Sequence, residues 1–133
     1  MQPQIDHINR YVSNTDVFIK FYQSVLRYEL IDQGIKPNGQ KFAILKGIGH
    51  ELFISEKTDF IANEISNFRH IGYSVENIEG LLEQLIAGGL IENETMIVSK
   101  QFSKQLYIKD PDGFEIDLIE WTDKKGFYDS LSK

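Results

Sequence analysis

The sequence predicts an α+β protein made of two βαβββ repeats whose strands form a strongly curved mixed sheet. Three observations predict it. His7-Ile8 recurs as His70-Ile71, 63 positions on, each inside a segment that alternates as a strand does. A helical pattern follows each of these segments, with Phe18, Phe21, Tyr22 and Val25 in the first and Ile78, Leu81, Leu82 and Leu85 in the second. Then 41–56 and 105–120 align without a gap at an offset of 64, pairing Gly49 with Gly113, Leu52 with Ile116 and Glu56 with Glu120. One residue of slippage across strand, helix, turn and strand marks a duplication.

The elements follow in order. Asp6–Val12 and Arg69–Val75 are the opening strands. Asn14 and Asn77 stand where helix N-caps belong, with Asp16 and Glu79 in the first turns, and Gly88-Gly89 suits the end of the second helix. Short segments around Leu30-Ile31 and Leu90-Ile91 are the expected next strand of each repeat. The closing hairpins turn at Lys46-Gly47-Ile48-Gly49 and at Asp110-Pro111-Asp112-Gly113, the latter a strong turn signal. A single domain over 1–133 is expected, with repeat one at about 4–57, repeat two at about 67–121 and a tail at 122–133. The repeat boundary falls near Thr58–Ser66, and Phe127 and Tyr128 in the tail cap an edge or meet a partner.

Composition narrows the function. A chain of 133 residues suits one domain and two only badly, and its 41% apolar content supplies a core. A formal charge of −6 argues against nucleic acid, whose phosphates need a basic face, and fits small molecules. The absence of cysteine excludes disulfides, thiolate metal sites and thiol nucleophiles. The first residues lack the pattern of a signal peptide and no apolar run approaches the ~20 residues of a membrane span, so a cytoplasmic location with no membrane partner is expected.

Period-two alternation assigns the two faces of the strands. Ile8, Val12, Phe42, Ile44, Leu52, Ile54, Ile71, Tyr73, Val75, Leu106, Ile108, Ile116 and Leu118 are expected against the helices. The other face then carries His7, Asn9, Tyr11, Ala43, Glu51, Phe53, Ser55, His70, Gly72, Ser74, Tyr107, Glu115, Asp117 and Ile119. Two histidines and three carboxylates are too polar for a dry core. The aromatic rings among them suit a partly enclosed cleft, while a merely solvated face is the alternative.

Phe21-Tyr22-Gln23-Ser24-Val25-Leu26 resembles the FYxxVL segment of the vicinal-oxygen-chelate superfamily, which unites glyoxalases, bleomycin-resistance proteins and extradiol dioxygenases. Asp110-Pro111-Asp112-Gly113 with Ile116-Asp117-Leu118 resembles the DPDGxxIEL signature of the same superfamily, and the resemblance covers roughly residues 4–121. It is specific for fold and poor for reaction. In metal-dependent members four equivalent strand positions supply ligands, which here are His7, Phe53, His70 and Asp117. Phenylalanine binds no metal, so the resemblance implies a divalent ion (Mn, Fe, Zn or Ni) on His7, His70 and Asp117, with open positions for water or substrate. That set is nearer to the ring-cleaving dioxygenases and fosfomycin-type transferases than to four-ligand glyoxalase I. Asp117 departs from the usual Glu by one methylene, and Glu51 lies two residues from Phe53, about 6.5 Å along the strand.

The resemblance implies a glyoxalase-like metalloenzyme, a lyase, isomerase or relative, in which the ion chelates vicinal oxygens of a small substrate as a Lewis acid. Asn9, Tyr11, Ser74 and Tyr107 are expected to orient that substrate and Phe53 to pack on it. Glu51 and Glu115 are candidate general bases, with solvated rim carboxylates as the alternative, and His50 is expected on the surface. The other reading is a metal-free protein of the bleomycin-resistance type that binds a small molecule or antibiotic. A phosphonate substrate fits less well, because alternation places no cluster of Lys and Arg on the cleft face. Extradiol cleavage fits less well too, since such enzymes use longer, two-module chains. Exposed sheet edges, and the dimers formed by similar chains, lead to the expectation of a homodimer.

Overall fold

The computed structural model describes residues 2, 4–61 and 69–131. Most of the expected repeat boundary at Thr58–Ser66, and the last two residues of the tail, lie outside the described residues. The chain divides into two compact units, Met1–Ile65 with Pro111–Gly113, and Ser66–Asp110 with Phe114–Lys133. Its strands hydrogen-bond as two four-stranded sheets, one in each unit.

In the first unit β1 (His7–Val12), α1 (Thr15–Ser24), β2 (Glu29–Ile35), β3 (Lys41–Gly47) and β4 (His50–Glu56) follow one another. The sheet order is β1-β4-β3-β2, with β1 parallel to β4 and the other neighbours antiparallel. Phe18, Ile19, Tyr22 and Val25 fall on one side of α1 and are buried with Val12, Leu45, Leu52 and Ile54. Hydrophobic burial of this stripe holds the helix to the sheet. The edge strand β2 shifts register between Leu30 and Asp32, and leaves Ile31 and Ile35 exposed. Asp112 belongs to the same unit and accepts hydrogen bonds from the Ser13 backbone N–H, at 3.1 Å, and from its hydroxyl.

The second unit repeats the plan with β5 (His70–Ser74), α2 (Ile78–Ala87), β6 (Val98–Ser99), β7 (Ser103–Lys109) and β8 (Glu115–Trp121) in sheet order β5-β8-β7-β6. Ile78, Leu85, Leu106, Ile108, Ile116 and Leu118 form its core. The tail adds α3 (Lys124–Ser130), whose Phe127 ring packs on Trp121 and Phe102, with centroids 5.2 and 6.1 Å away. Among the described residues no helix is long and apolar enough to cross a membrane.

The same device fixes both helix starts. Asn14 Oδ1 accepts from the Val17 N–H at 3.0 Å and Asn77 Oδ1 from that of Gly80 at 3.3 Å, as expected of N-caps. A second acceptor arrives from the end of the inner strand: Glu56 takes the Thr15 N–H at 3.0 Å and Glu120 takes that of Ile78 at 2.7 Å. Each carboxylate satisfies a donor that the helix leaves over and faces the positive end of its dipole. In the first turn of α2, the hydrogen bond from Lys104, at 2.6 Å, holds the Glu79 carboxyl below its usual range.

Two expectations are corrected. Leu90-Ile91 forms no strand, and its place is taken by β6 further along. Gly89, at φ 67°, ends α2: its N–H bonds to Ile86 O at 2.9 Å, and the Leu90 N–H returns to Leu85 O at 2.9 Å. This paired closure of the last helical carbonyls takes up the residues that alternation assigns to a strand. Ala43 lies against the helix rather than in the cleft, being buried beside Leu45, while Phe42 and Ile44 are only half-buried. Register agrees, for Ile44 pairs with Phe53 and Phe42 with Ser55 on the open face. A small residue on the helix side of β3 lets α1 approach the sheet.

Two measurements check this account. Gly89→Ala has open space around its Cβ, so it reports backbone strain alone and should lower stability in urea unfolding by about 1–2 kcal/mol. Glu120→Ala should cost about 1–2 kcal/mol in the same experiment, with Glu120→Gln recovering part of that by keeping an acceptor.

Candidate functional site

The open face of the second unit gathers a compact polar group. His70 and Glu115 are register partners on β5 and β8, and Asp117 follows two residues along on the same face. His70 Nδ1 stands 2.8 Å from Glu115 Oε2, with Arg69 Nε at 3.9 Å from the same oxygen. In the neutral ring, a proton on Nδ1 facing the carboxylate leaves the lone pair on Nε2. That nitrogen lies 3.9 Å from Asp117 Oδ2. Asp117 is 5% exposed, its Oδ2 accepts from Gln105 Nε2 at 2.6 Å, and its Oδ1 has no hydrogen-bond partner among the described residues.

A buried carboxylate oxygen without a partner is costly unless a cation meets it. Two donors bound to one ion at ~2.1 Å each stand no more than ~4.2 Å apart. His70 Nε2 and Asp117 Oδ2, the oxygen that Gln105 also bonds, meet that limit, and their nitrogen–oxygen character suits Mn, Fe, Zn or Ni. The residues present therefore fit two ligands of a divalent ion, with Glu115 orienting the histidine from behind. Among the described residues no group of three or more His, Asp or Glu side chains forms a metal-holding cluster.

Tyr107 extends this group. Its ring centroid is 6.3 Å from that of His70, and its hydroxyl accepts from Lys100 Nζ at 3.2 Å. Tyr107 also walls an open cavity of about 540 Å³ bounded by the 89–92 loop and Thr95. Ser74 lies exposed on the same face.

The first unit places the equivalent positions differently. His7 and Glu51 are register partners, yet His7 Nδ1 bonds to Asp6 Oδ2 at 2.9 Å. Its ring stacks on Phe53, which holds the position equivalent to Asp117, at 4.9 Å between centroids. The Glu51 carboxylate has no hydrogen bond or ion pair among the described residues. Asn9 and Tyr11 lie exposed on the same face, with Lys57 Nζ 5.2 Å from the Tyr11 ring centre. His50 is not a plain surface residue: its Nε2 is 2.7 Å from the hydroxyl of buried Tyr28.

Two residues of these faces escape the sequence reading. Gln105 shares the parity of Tyr107 and pairs with Ile119, so alternation alone places it beside Asp117. Lys36 precedes the β2–β3 turn and reaches back to Ser55 on β4, a contact that no periodicity signals.

The sequence model of the Glyoxalase/Bleomycin resistance protein/Dioxygenase superfamily matches residues 4–118. A glyoxalase family protein from Enterococcus faecalis is 28% identical, with a TM-score of 0.73 over 88% of this chain and 97% of that one. A glyoxylase/bleomycin resistance protein/dioxygenase domain from Frankia sp. EAN1pec is 17% identical, with a TM-score of 0.72 over 91% and 99%. The fosfomycin resistance protein FosX from Listeria monocytogenes, in a complex with Mn(II) and sulfate, is 18% identical with a TM-score of 0.73 over 96% and 99%. With its doubled βαβββ order and a family match over nearly its whole length, the chain belongs to the Glyoxalase/Bleomycin resistance protein/Dioxygenase superfamily.

Proposed function

We propose that the protein is a metal-dependent, glyoxalase-like enzyme, a lyase, isomerase or relative of these, acting on a small molecule with vicinal oxygens. One observation carries this reading: a carboxylate-anchored imidazole lies 3.9 Å from one oxygen of a buried carboxylate whose other oxygen has no hydrogen-bond partner among the described residues. His70 and Asp117 would supply two ligands, and the family resemblance implies His7 as the third, its Nδ1 likewise bonded to a carboxylate. When bound, the ion serves as a Lewis acid for the substrate oxygens. The FosX relative, crystallised with Mn(II), supports a divalent ion without fixing which.

The protein's own groups divide the remaining work. Glu115 is a positioning residue that acts through His70, since its carboxylate already takes the Nδ1 proton. Glu51, without such a partner, is the candidate general base. Asn9, Tyr11, Ser74 and Tyr107 offer hydrogen bonds to orient substrate, and Phe53 an apolar contact. A second reading rests on Gln105: its 2.6 Å bond already satisfies one oxygen of Asp117, which suits a metal-free binder of the bleomycin-resistance type.

Elemental analysis separates the two. Protein stripped with a chelator and reloaded separately with Mn, Fe, Zn and Ni salts should retain about one ion per chain with its preferred metal. His7→Ala, His70→Ala and Asp117→Asn should each lose the ion while remaining folded by circular dichroism. Wild-type protein that stays folded and retains none of the four metals would establish the metal-free reading instead. We also propose a homodimer, for which light scattering at micromolar concentration should give twice the 15.4 kDa chain mass.

A further inference from the structure

We infer that the open face of the first unit carries a binding site for the oxyanion of a small organic acid, built on Lys36, Ser55, Tyr11 and Lys57. The inference concerns binding alone and stands whether or not a metal ion is held elsewhere.

Lys36 ends the β2 hairpin arm and is fastened at both levels. Its backbone N–H bonds to Gln40 O at 2.8 Å, closing the turn, and its ammonium donates to Ser55 Oγ at 2.8 Å and to Gln40 Oε1 at 3.4 Å. Gln40 is itself tied to Glu56 O at 2.8 Å. Immobilising a lysine costs rotamer entropy, and here the acceptors that hold it are neutral. Among the described residues Lys41, Lys104 and Lys125 pair with the carboxylates of Asp16, Glu79 and Asp129. Lys36 and Lys57 have no ion pair among the described residues. In a chain with 20 acidic residues against 14 Lys and Arg, two such ammonium groups on one face are notable for the charge they leave available.

The donors converge by register. Ser55 is the Cα partner of Tyr11 on β1 and of Phe42 on β3, so the three side chains stand on one line across the sheet. Ser55 is 6% exposed and accepts from an ammonium, which has only protons to give, so its own hydroxyl proton is left to donate. The Tyr11 hydroxyl makes no hydrogen bond among the described residues, and Lys57 Nζ stands over its ring at 5.2 Å. Two cations and two hydroxyl donors, with no carboxylate bonded to any of them among the described residues, form an array that matches an acceptor-only anion. Beside it Phe42, Ile44 and Phe53 supply apolar contact on the same face, since Ile44 pairs with Phe53. A ligand with an anionic head and an apolar body satisfies both halves. Lys36 reaches this face from a turn, outside the alternation that places no cluster of Lys and Arg there.

The test uses metal-stripped full-length protein and three probes, inorganic phosphate, methylphosphonate and acetate, titrated while backbone amide shifts are followed by NMR. The phosphorus-containing probes and acetate separate a phosphate or phosphonate head from a carboxylate. Saturable shifts at Lys36, Ser55 and Tyr11 are expected with one or both classes. Lys36→Met and Ser55→Ala should each weaken binding about tenfold or more, and Lys57→Met by a smaller factor. Lys36→Gln repeats the test should Lys36→Met misfold, and Lys20→Met, an exposed lysine of α1, should leave affinity unchanged. The inference is overturned by wild-type protein that binds none of the probes. It is equally overturned by Lys36 and Ser55 variants that bind as wild type does, or by a Lys20→Met loss as large as that of Lys36→Met. Because no metal is present, failure here leaves the metal reading untouched, and failure of metal loading leaves this result standing.

Discussion

A carboxylate at the end of the inner strand, bonded to the first turn of the helix, sets the geometry of each unit. Glu56 and Glu120 hold α1 and α2 by their exposed backbone N–H groups, and so fix where each helix starts relative to the sheet. Once that start is fixed, the apolar stripe of the helix meets one face of the strands and the other face is left open. The strand residues proposed for the site lie on that other face, where Asp117 is nonetheless buried. The tie is electrostatic as well as geometric, because the helix terminus carries the partial positive charge that the carboxylate offsets.

Duplication then gives two faces with the same register and different chemistry. His7 and His70 occupy equivalent positions, and both are oriented by a carboxylate, but from different places in the sequence: Asp6 beside it in one case and Glu115 across the strand pair in the other. Where the second unit has Asp117, the first has Phe53, and the imidazole there stacks on an aromatic ring instead of facing an anion. One copy carries a polar arrangement at this position. The other has apolar surface there and its cations further along, at Lys36 and Lys57.

Much of this was legible in the sequence, for definite reasons. Gap-free pairing of 41–56 with 105–120 fixes the strands and their hairpins, and the Asn caps mark the helix starts without ambiguity. Alternation works on β1, β4, β5 and β8, where apolar and polar residues genuinely take turns. It fails on β3, because Phe42, Ala43, Ile44 and Leu45 are all apolar and either parity looks buried. It fails again at β6, whose two residues are too few to show a period, next to a Leu-Ile pair drawn into the helix closure. The position of Gln105 followed from parity and needed only to be read. Lys36 depends on how a turn folds back, and side chains placed by turns carry no periodic trace.

The register shift in β2 bears on how chains meet. An outer strand with free backbone groups is a template on which a neighbouring molecule can add its own strand. Between Leu30 and Asp32 the spacing of those groups changes, and the exposed Ile31 sits at the break. A strand approaching from outside finds a ladder that matches over only part of its length, followed by the Pro37 turn. A ladder broken within the strand gives an added strand no continuous row of donors and acceptors to follow, so backbone pairing along this edge is disfavoured.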